Sequence, residues 1–493
     1  MKKYILSALG VAALMFNQSC KTDFDTDVAD IKITSGDANF SKFISLGNSL
    51  SAGYRDNALF IDGQNESFPS IIAQQMKLAG GGEFKQPMMP NNVGGFQGIN
   101  DPITNKPLFM GKMSLAMVCG SLSPIPANPA APVDDIKAGG PYQNLAIPGA
   151  KSFHLGVGNY GLLNPYYSRF STGTSLITNA VSQSPTFFSL WIGGNDVLSY
   201  STNGGTGVDQ TGNANPLTYG VNDITDPTVF KTVISQYVGA LTANGAKGII
   251  GNIPDVTSIP YFTTVPSKPI TGLSDTQANQ LNAAYAPYNG GLLQLKNAGV
   301  ISDAEYQKRL IKFSSGNVAN GGVMLDKDLT DLTTINPALK SYRQTTSSDF
   351  ILLTAASALK PYDATCNPGG ISAGTAVPLE DKYVLSEKEA GKVATATKAY
   401  NIALKDIATQ KNLAFVDANT TLIQLSGASG ISWDGVKYSA KFVTGGAFSL
   451  DGVHLTGRGY AIVANEFIKA INAKYNSTLP QVDPNKYSGV KFP

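Results

Sequence analysis

Four short motifs hold side chains that could together break an acyl bond, although they lie far apart in the chain. The motifs are Gly47-Asn48-Ser49-Leu50-Ser51, residues 144–150 (NLAIPGA), Gly193-Gly194-Asn195-Asp196 and Asp451-Gly452-Val453-His454. A serine hydroxyl is a weak nucleophile that needs an adjacent base, and a third group must hold that base in one tautomer. The residue types in these motifs predict that Ser49 attacks the acyl carbon, that His454 is its base and that Asp451 is the acid that orients His454.

The same chemistry needs hydrogen-bond donors for the negative charge that develops on the carbonyl oxygen. Three groups are candidates. The N–H of Ser49 would lie at the start of a helix, where negative charge is favoured. Gly149 has no Cβ to crowd its N–H, and Asn195 carries a side-chain amide. Glycine and asparagine are also common in turns, so Gly149 and Asn195 have a turn role as the alternative. We predict an oxyanion hole made of Ser49, Gly149 and Asn195.

The chain has 2 histidines, so one of them must be the base if the reaction uses one. His454 follows Asp451 by three residues and precedes a predicted helix, which favours it over a capping or surface role. His154 lies soon after Gly149, and we interpret it as a surface-loop residue rather than a substrate contact. No group of histidines, cysteines and acids has metal-ligand spacing, so we predict no metal site.

Short apolar runs precede or contain the first three motifs and predict the strands that position them. Helical spacing of apolar residues over 229–241, 387–407 and 460–475 predicts helices between and after these strands. Short apolar strands that alternate with helices favour a doubly wound α/β fold with a parallel sheet. All strands of such a sheet end at one edge, where distant motifs can meet. The predicted strands are 43–46, 144–147, 186–192, 248–253, 350–354 and 413–417.

Three stretches do not fit this alternation and are predicted to be insertions in a hydrolase domain that covers residues 42–476. They lie near 55–140, 200–225 and 262–345. Long insertions at strand ends often shape binding clefts, so we expect them to border the site. Residues 477–493 form a polar tail.

The first 20 residues predict export. Lys2 and Lys3 precede an apolar run over 5–16, which is too short to span a bilayer but typical of a signal peptide. A Ser-Cys pair follows and resembles a bacterial lipoprotein signal, although Asn17 stands where an apolar residue is usual. We expect a signal peptide over 1–19, a lipidated Cys20 and an acidic tether to residue 41. These features predict anchoring to the bacterial envelope, at the outer membrane; the alternative is an ordinary secretory signal with an incidental cysteine.

The charge of the chain gives no reason to expect nucleic acid as a partner. Charged residues make up 15% of the chain, and its net charge of +2 comes from Lys2 and Lys3 in the leader. Because the chain has no run of basic residues, it has no feature that would attract nucleic acid.

Cys119 and Cys366 could pair in an oxidising compartment or remain two buried thiols.

Taken together, the four motifs resemble those of the SGNH hydrolases, the family of GDSL-like lipases and acylhydrolases. Ser49, Gly149, Asn195 and His454 match the four letters of that name in chain order, and Asn48 stands where the family usually has Asp. The resemblance touches most of the chain from residue 43 to about residue 474. It implies a flavodoxin-like, three-layer α/β/α fold with about five parallel strands, no cofactor, and hydrolysis of esters or thioesters.

The substrate class stays open at the level of sequence. Insertions rich in tyrosine, asparagine and glycine favour an acylated glycan, whereas the patch of Met110, Met113 and Met117 favours a lipid ester. A second hypothesis is a catalytically silent, glycan-binding surface lipoprotein on the same fold. Asn48 is the feature that favours it, and the intact Ser, Gly, Asn, Asp and His favour the enzyme. The sequence does not predict an oligomeric state.

Overall fold

The structure, a computed structural model, describes residues 32–493, so the predicted signal peptide and Cys20 lie outside the described residues. The strands are β1 (Phe43–Gly47), β2 (Phe96–Asn100), β3 (Pro107–Phe109), β4 (Met113–Val118), β5 (Ser121–Pro126), β6 (Phe187–Trp191), β7 (Lys247–Gly251), β8 (Val323–Leu325), β9 (Tyr342–Gln344), β10 (Phe350–Ile351), β11 (Val384–Leu385), β12 (Ala414–Val416), β13 (Ile431–Trp433) and β14 (Val436–Tyr438). The helices are α1 (Ser49–Ala52), α2 (Ile61–Asn65), α3 (Phe68–Leu78), α4 (Pro165–Ser168), α5 (Leu176–Ser182), α6 (Asn195–Thr202), α7 (Pro227–Thr242), α8 (Pro260–Thr263), α9 (Asp275–Asn297), α10 (Asp303–Arg309), α11 (Ala355–Ala358), α12 (Glu387–Gln410), α13 (Ala418–Ser426) and α14 (Gly457–Tyr475).

A four-stranded parallel sheet in the order β1-β6-β7-β12 forms the centre of the molecule. Every residue of β1 and β6 is buried, as expected for strands covered on both faces. Helix α7 packs on α12, and α3 packs on α14, while both α12 and α14 also contact β7 and β12. The fold is therefore the predicted α/β fold, with a central parallel sheet between helices.

The predicted strand at 144–147 lies along the outer edge of β1 rather than forming a full strand of the sheet. A parallel bridge joins Asn144 to Ser45. The N–H of Leu145 donates to the carbonyl of Ser45 at 2.8 Å, and the N–H of Ile147 donates to Gly47 at 3.1 Å. This hydrogen-bonded edge segment gives the sheet a partial fifth member, and it carries the chain directly to Gly149.

The predicted strand at 350–354 is wrong as a member of the central sheet. Its first two residues form β10, which pairs antiparallel with β11. Ile351 and Leu352 are buried, but Ile351 packs in a separate apolar cluster with Met324, Leu379 and others. The insertion after α8 thus has cores of its own, and a short apolar run does not reveal which core will bury it.

A disulfide between Cys119 and Cys366, whose Cα atoms are 5.6 Å apart, joins the first expected insertion to a loop that follows the third one. Cys119 lies in the turn between β4 and β5, and Cys366 lies in the loop between α11 and β11. Both residues are exposed. The two cysteines therefore pair, and the alternative of two buried free thiols is wrong.

Residues near both ends of the described chain pack on the domain. Ala38 and Phe40, within the expected tether, are buried, and so is Leu479 in the expected tail. The N–H of Ser488 donates to the carboxylate of Glu66 at 3.0 Å. Ordered packing thus extends beyond the expected domain limits at 42 and 476. Among residues 32–493, no helix is long and apolar enough to cross a membrane.

Candidate active site

Ser49, His454 and Asp451 form one hydrogen-bonded series. The hydroxyl of Ser49 lies 2.8 Å from Nε2 of His454, and Nδ1 of His454 lies 2.9 Å from the Asp451 carboxylate. Because the carboxylate accepts at Nδ1, that nitrogen carries the ring proton and Nε2 is left to accept the hydrogen of Ser49. Ser49 and His454 are 405 positions apart in the sequence, and the structure brings them together.

Asn48 caps the short helix α1 and fixes the turn that presents Ser49. Its side-chain oxygen accepts the N–H of Leu50 at 3.1 Å, and its backbone is extended, as is usual for a residue before a helix. This bond needs only a side-chain acceptor, which Asn provides as well as Asp. The departure from the usual Asp therefore leaves the bracing of the turn intact.

The carboxylate of Asp451 is held by four further donors besides the His454 ring. One oxygen accepts the N–H of Val453 at 2.9 Å, the N–H of His454 at 2.8 Å and the hydroxyl of Ser449 at 3.1 Å. The other accepts the N–H of Asn57 at 2.9 Å. Burial alone raises the pKa of Asp451, but the charge and hydrogen bonds of His454 outweigh it and hold the pKa well below the usual range. Asp451 is thus ionised at any working pH.

A tight turn at the start of the first insertion also holds the Asp451 loop, and the sequence analysis missed it. Asp56 and Asn57 both have positive φ, and Arg55 and Ala58 exchange two backbone hydrogen bonds around them. Asp56 accepts the N–H of Leu450 at 3.0 Å. An Asp-Asn pair is typical of such a turn, and this pair was the available signal.

Gly149 lies in a tight turn that fixes the orientation of the peptide bond between Pro148 and Gly149. The N–H of Ala150 donates to the carbonyl of Ile147 at 3.1 Å, and Gly149 has a φ of +80°. Proline followed by such a glycine is the signature of a type II turn. Asn164 donates to the carbonyl of Pro148 at 2.9 Å, so the N–H of Gly149 points to the opposite side of the same peptide.

Two of the candidate oxyanion donors are unused. Within residues 32–493, neither the N–H of Ser49 nor the N–H of Gly149 donates a hydrogen bond to the protein. The amide of Asn195 donates one hydrogen to the carbonyl of Ala150 at 2.9 Å, which leaves its second hydrogen. Asn195 therefore lies against the residue that follows Gly149.

A cavity of about 90 Å³ lies beside Ser49. Ser49, Asn195 and His454 line it at one end. In the part of the chain that the structure describes, no residue within the three expected insertions is among its lining residues, nor are Met110, Met113 and Met117. The expectation that the insertions border the site is thus wrong for this cavity. Segments that follow the carboxyl ends of the parallel strands already enclose the space.

His154 does not join the Ser49 series. Its Nδ1 accepts the N–H of Lys151 at 3.1 Å, and its ring stacks on Tyr160 with the centroids 4.7 Å apart. Burial, with a smaller contribution from the charge of Lys151, lowers the pKa of His154 to about 4. His154 is therefore a packed, neutral residue rather than the surface-loop residue that the sequence suggested.

No group of three or more His, Cys, Asp or Glu residues that could hold a metal ion occurs among residues 32–493. A buried serine hydroxyl, the histidine that can accept its proton and the carboxylate that orients this histidine can together perform nucleophilic and acid–base chemistry.

No protein-family model and no curated protein matches the chain. Among solved structures, a variant of an acetyl-xylooligosaccharide esterase from Geobacillus stearothermophilus matches with 10% identity and a TM-score of 0.30, over 90% of this chain and 96% of the other. A protein assigned as a GDSL-like lipase from Parabacteroides merdae matches with 9% identity and a TM-score of 0.32, over 89% and 99%. An extracellular lipase from Streptomyces rimosus matches with 11% identity and a TM-score of 0.29, over 87% and 98%. Likenesses this distant do not decide an activity, which has to be inferred from the geometry of the site.

Proposed function

We propose that this protein is a serine ester hydrolase of the SGNH type that works through an acyl-enzyme on Ser49. The observation that carries the proposal is the hydrogen-bonded series from Ser49 through His454 to Asp451, at 2.8 and 2.9 Å, at the end of a cavity. A structural serine has no need of a histidine that is itself held by a buried carboxylate.

The reaction proceeds in two halves. In the first, the oxygen of Ser49 attacks the ester carbonyl carbon while Nε2 of His454 takes the serine proton. The tetrahedral intermediate collapses, the bond to the alcohol oxygen breaks, and His454 gives its proton to the leaving alcohol. In the second half, His454 takes a proton from water, the water oxygen attacks the acyl carbon, and Ser49 leaves with the proton restored.

Two sets of groups lower the barrier. Asp451 stays ionised and stabilises the positive charge that His454 gains in each half of the reaction. The N–H groups of Ser49 and Gly149 and the amide of Asn195 bind the oxygen that becomes negative. Since these donors are already in place before substrate arrives, little reorganisation is needed in the transition state.

The binding-only alternative has no observation in its favour. Its one sequence hint was Asn48, and Asn48 caps α1 and accepts the N–H of Leu50 as an aspartate would. The motifs around Ser49, Gly149, Asn195 and His454 resemble those of SGNH hydrolases, which supports the enzyme.

Hydrolysis of p-nitrophenyl acetate by the purified protein and by Ser49→Ala tests the proposal. We expect the substitution to lower kcat by at least about 10⁴-fold and to leave the folded structure unchanged by circular dichroism. Ser182→Ala is the matched control, because Ser182 is an exposed serine at the end of α5. Turnover by Ser49→Ala equal to that of the wild type would refute the proposal, and so would a folded wild type that hydrolyses neither p-nitrophenyl acetate nor its longer-chain esters.

We also propose that the enzyme is exported and held in the bacterial envelope by a lipid on Cys20. The support is the sequence of the leader, with Lys2 and Lys3 before an apolar run and a Ser-Cys pair after it. Cys20→Ala should move the protein from the membrane fraction to the soluble fraction of a bacterial host. Retention of Cys20→Ala in the membrane fraction would contradict the anchor.

A further inference from the structure

The cavity beside Ser49 has two chemically different parts. Its polar lining at the near end is Asn48, Ser49, Asn195 and His454, all of which belong to the candidate active site. Among the described residues, the other polar side chains that line it are Thr421 and Glu466. The body between these ends is aliphatic, with walls that include Leu198, Ile253, Ile259, Leu422, Leu425 and Val463.

An aliphatic wall selects the part of a substrate that can enter. A sugar ring would lose the water bound to its hydroxyl groups and find almost no partner along the body of the cavity, which is unfavourable. A hydrocarbon chain gains from the same transfer, since each buried methylene group is worth about fourfold in binding. The chemistry of the cavity therefore fits a hydrocarbon chain and not a glycan.

The size of the cavity sets an approximate chain length. A dry apolar cavity of about 150 Å³ holds one benzene molecule, which has six carbons. On that scale the cavity of about 90 Å³ beside Ser49 holds on the order of three to four carbons. An acetyl group does not fill this space, whereas a short aliphatic acyl chain does.

The position of the cavity indicates which side of the ester the chain belongs to. The acyl group stays bonded to Ser49 through the second half of the reaction, whereas the alcohol must leave to solvent after His454 protonates it. Ser49 is 7% exposed and opens into the cavity. A space that the nucleophile itself lines suits the group that remains attached.

We propose that this cavity is the acyl site and that the enzyme hydrolyses esters of short-chain fatty acids, of about four to five carbons, in preference to acetyl esters. This inference rests on the proposed function of Ser49. It names the substrate class as aliphatic acyl esters and leaves the alcohol, lipid or glycan, outside the cavity.

The far end of the cavity lies close to the surface. Val416, Thr421 and Glu466 line both the cavity and a separate surface pocket next to it. The carboxylate of Glu466 pairs with Lys469 at 2.7 Å. A chain that outgrows the cavity would meet these polar side chains, which gives the site a preferred length.

The test compares kcat/KM for p-nitrophenyl acetate, butyrate, octanoate and dodecanoate. We expect butyrate to exceed acetate by at least about tenfold, and dodecanoate to gain nothing further. Ethyl acetate and butyl acetate form the second arm, because they place the chain on the alcohol. A gain from ethyl to butyl that matches the gain from acetate to butyrate would overturn the acyl assignment.

Two opposite substitutions in the cavity sharpen the test. Ala418→Leu fills space, so it should lower the ratio of butyrate to acetate by about tenfold. Leu422→Ala opens space and should raise the ratio of octanoate to butyrate, which keeps the test usable if the larger side chain at 418 prevents folding. Ala283→Leu, on the exposed face of α9, is the matched control and should change neither ratio.

The outcomes separate this inference from the proposed function. Ser49-dependent turnover that is fastest with acetate and whose chain-length ratios do not respond to Ala418→Leu or Leu422→Ala would overturn the acyl site alone. Absence of Ser49-dependent turnover on every ester would overturn the proposed function, and the acyl site with it.

Discussion

The carboxylate of Asp196 accepts two hydrogen bonds from Ser152, one from its N–H at 2.8 Å and one from its hydroxyl at 2.6 Å. Asp196 directly follows Asn195, and Ser152 lies three residues after Gly149. The pair therefore ties together the two loops that carry two of the proposed oxyanion donors. Asp196 is fully buried, and burial raises the pKa of its carboxyl although the bonds from Ser152 oppose the shift.

Ser152→Ala should reduce both stability and catalysis. The substitution leaves a buried carboxylate without one donor, which costs about 1–3 kcal/mol of unfolding free energy. Because the two loops are no longer fixed to each other, we expect kcat to fall while KM changes little. Steady-state kinetics beside thermal unfolding checks this, with the exposed Ser182→Ala as control. A lower melting temperature with an unchanged kcat would show that Ser152 supports the fold and not the oxyanion hole.

Asn195→Ala tests the side-chain donor of the oxyanion hole. Removing one such donor from a serine hydrolase typically lowers kcat by about 10²–10³-fold. We expect a loss of that size with little change in KM, because the interaction forms mainly in the transition state. Asn203→Ala, at the exposed end of α6, is the control. A loss of kcat below about threefold would remove Asn195 from the hole.

His154 makes the fold sensitive to acid. Burial lowers its pKa from the ordinary 6.5 to about 4, so the unfolded chain takes up this proton at a higher pH than the folded protein does. The folded state therefore loses stability as the pH falls from about 6.5 to about 4, and the effect is absent above 6.5.

The matching variant is His154→Gln, which cannot take up this proton. Melting temperatures measured at pH 7.5 and pH 4.5 should differ more for the wild type than for His154→Gln. Equal losses in the two proteins would contradict the shifted pKa. Since His154 is outside the Ser49 series, kcat at pH 7.5 should not change.

The disulfide between Cys119 and Cys366 should stabilise the fold without taking part in catalysis. It closes a loop of 247 residues, and its loss is expected to lower the unfolding free energy by about 2–4 kcal/mol. Cys119→Ser should show that loss in a denaturant titration and keep its kcat, because neither cysteine lines the cavity. Both cysteines are exposed, so dithiothreitol should destabilise the wild type equally and leave Cys119→Ser unchanged. No shift in the denaturation midpoint would contradict this role.

The central sheet could be predicted because its strands are short apolar runs, such as 43–46 and 186–192, that alternate with clearly amphipathic helices. The convergence of Ser49 and Asn195 follows from the same fact, since parallel strands end at one edge. The run at 350–354 looks alike in sequence, but its first two residues pair with β11 outside the central sheet, and apolar character alone does not specify the partner strand.

Other parts of the site could not be predicted because they depend on contacts between loops without any periodic signal. Asn57 donates to Asp451 across 394 residues through its backbone N–H, a group that every residue except proline has. The cavity is likewise a space between segments and belongs to no motif. The pairing of Cys119 with Cys366 needed a distance that the sequence does not contain.

The most direct test of the central claim is covalent labelling of the nucleophile with a fluorophosphonate. Attack by Ser49 on phosphorus with loss of fluoride should give a single adduct, which peptide mass spectrometry locates, and His454→Ala should react far more slowly. The account predicts one adduct on Ser49 in the wild type and nearly none in His454→Ala. No adduct, an adduct on a different serine, or equal labelling rates in the two proteins would contradict it.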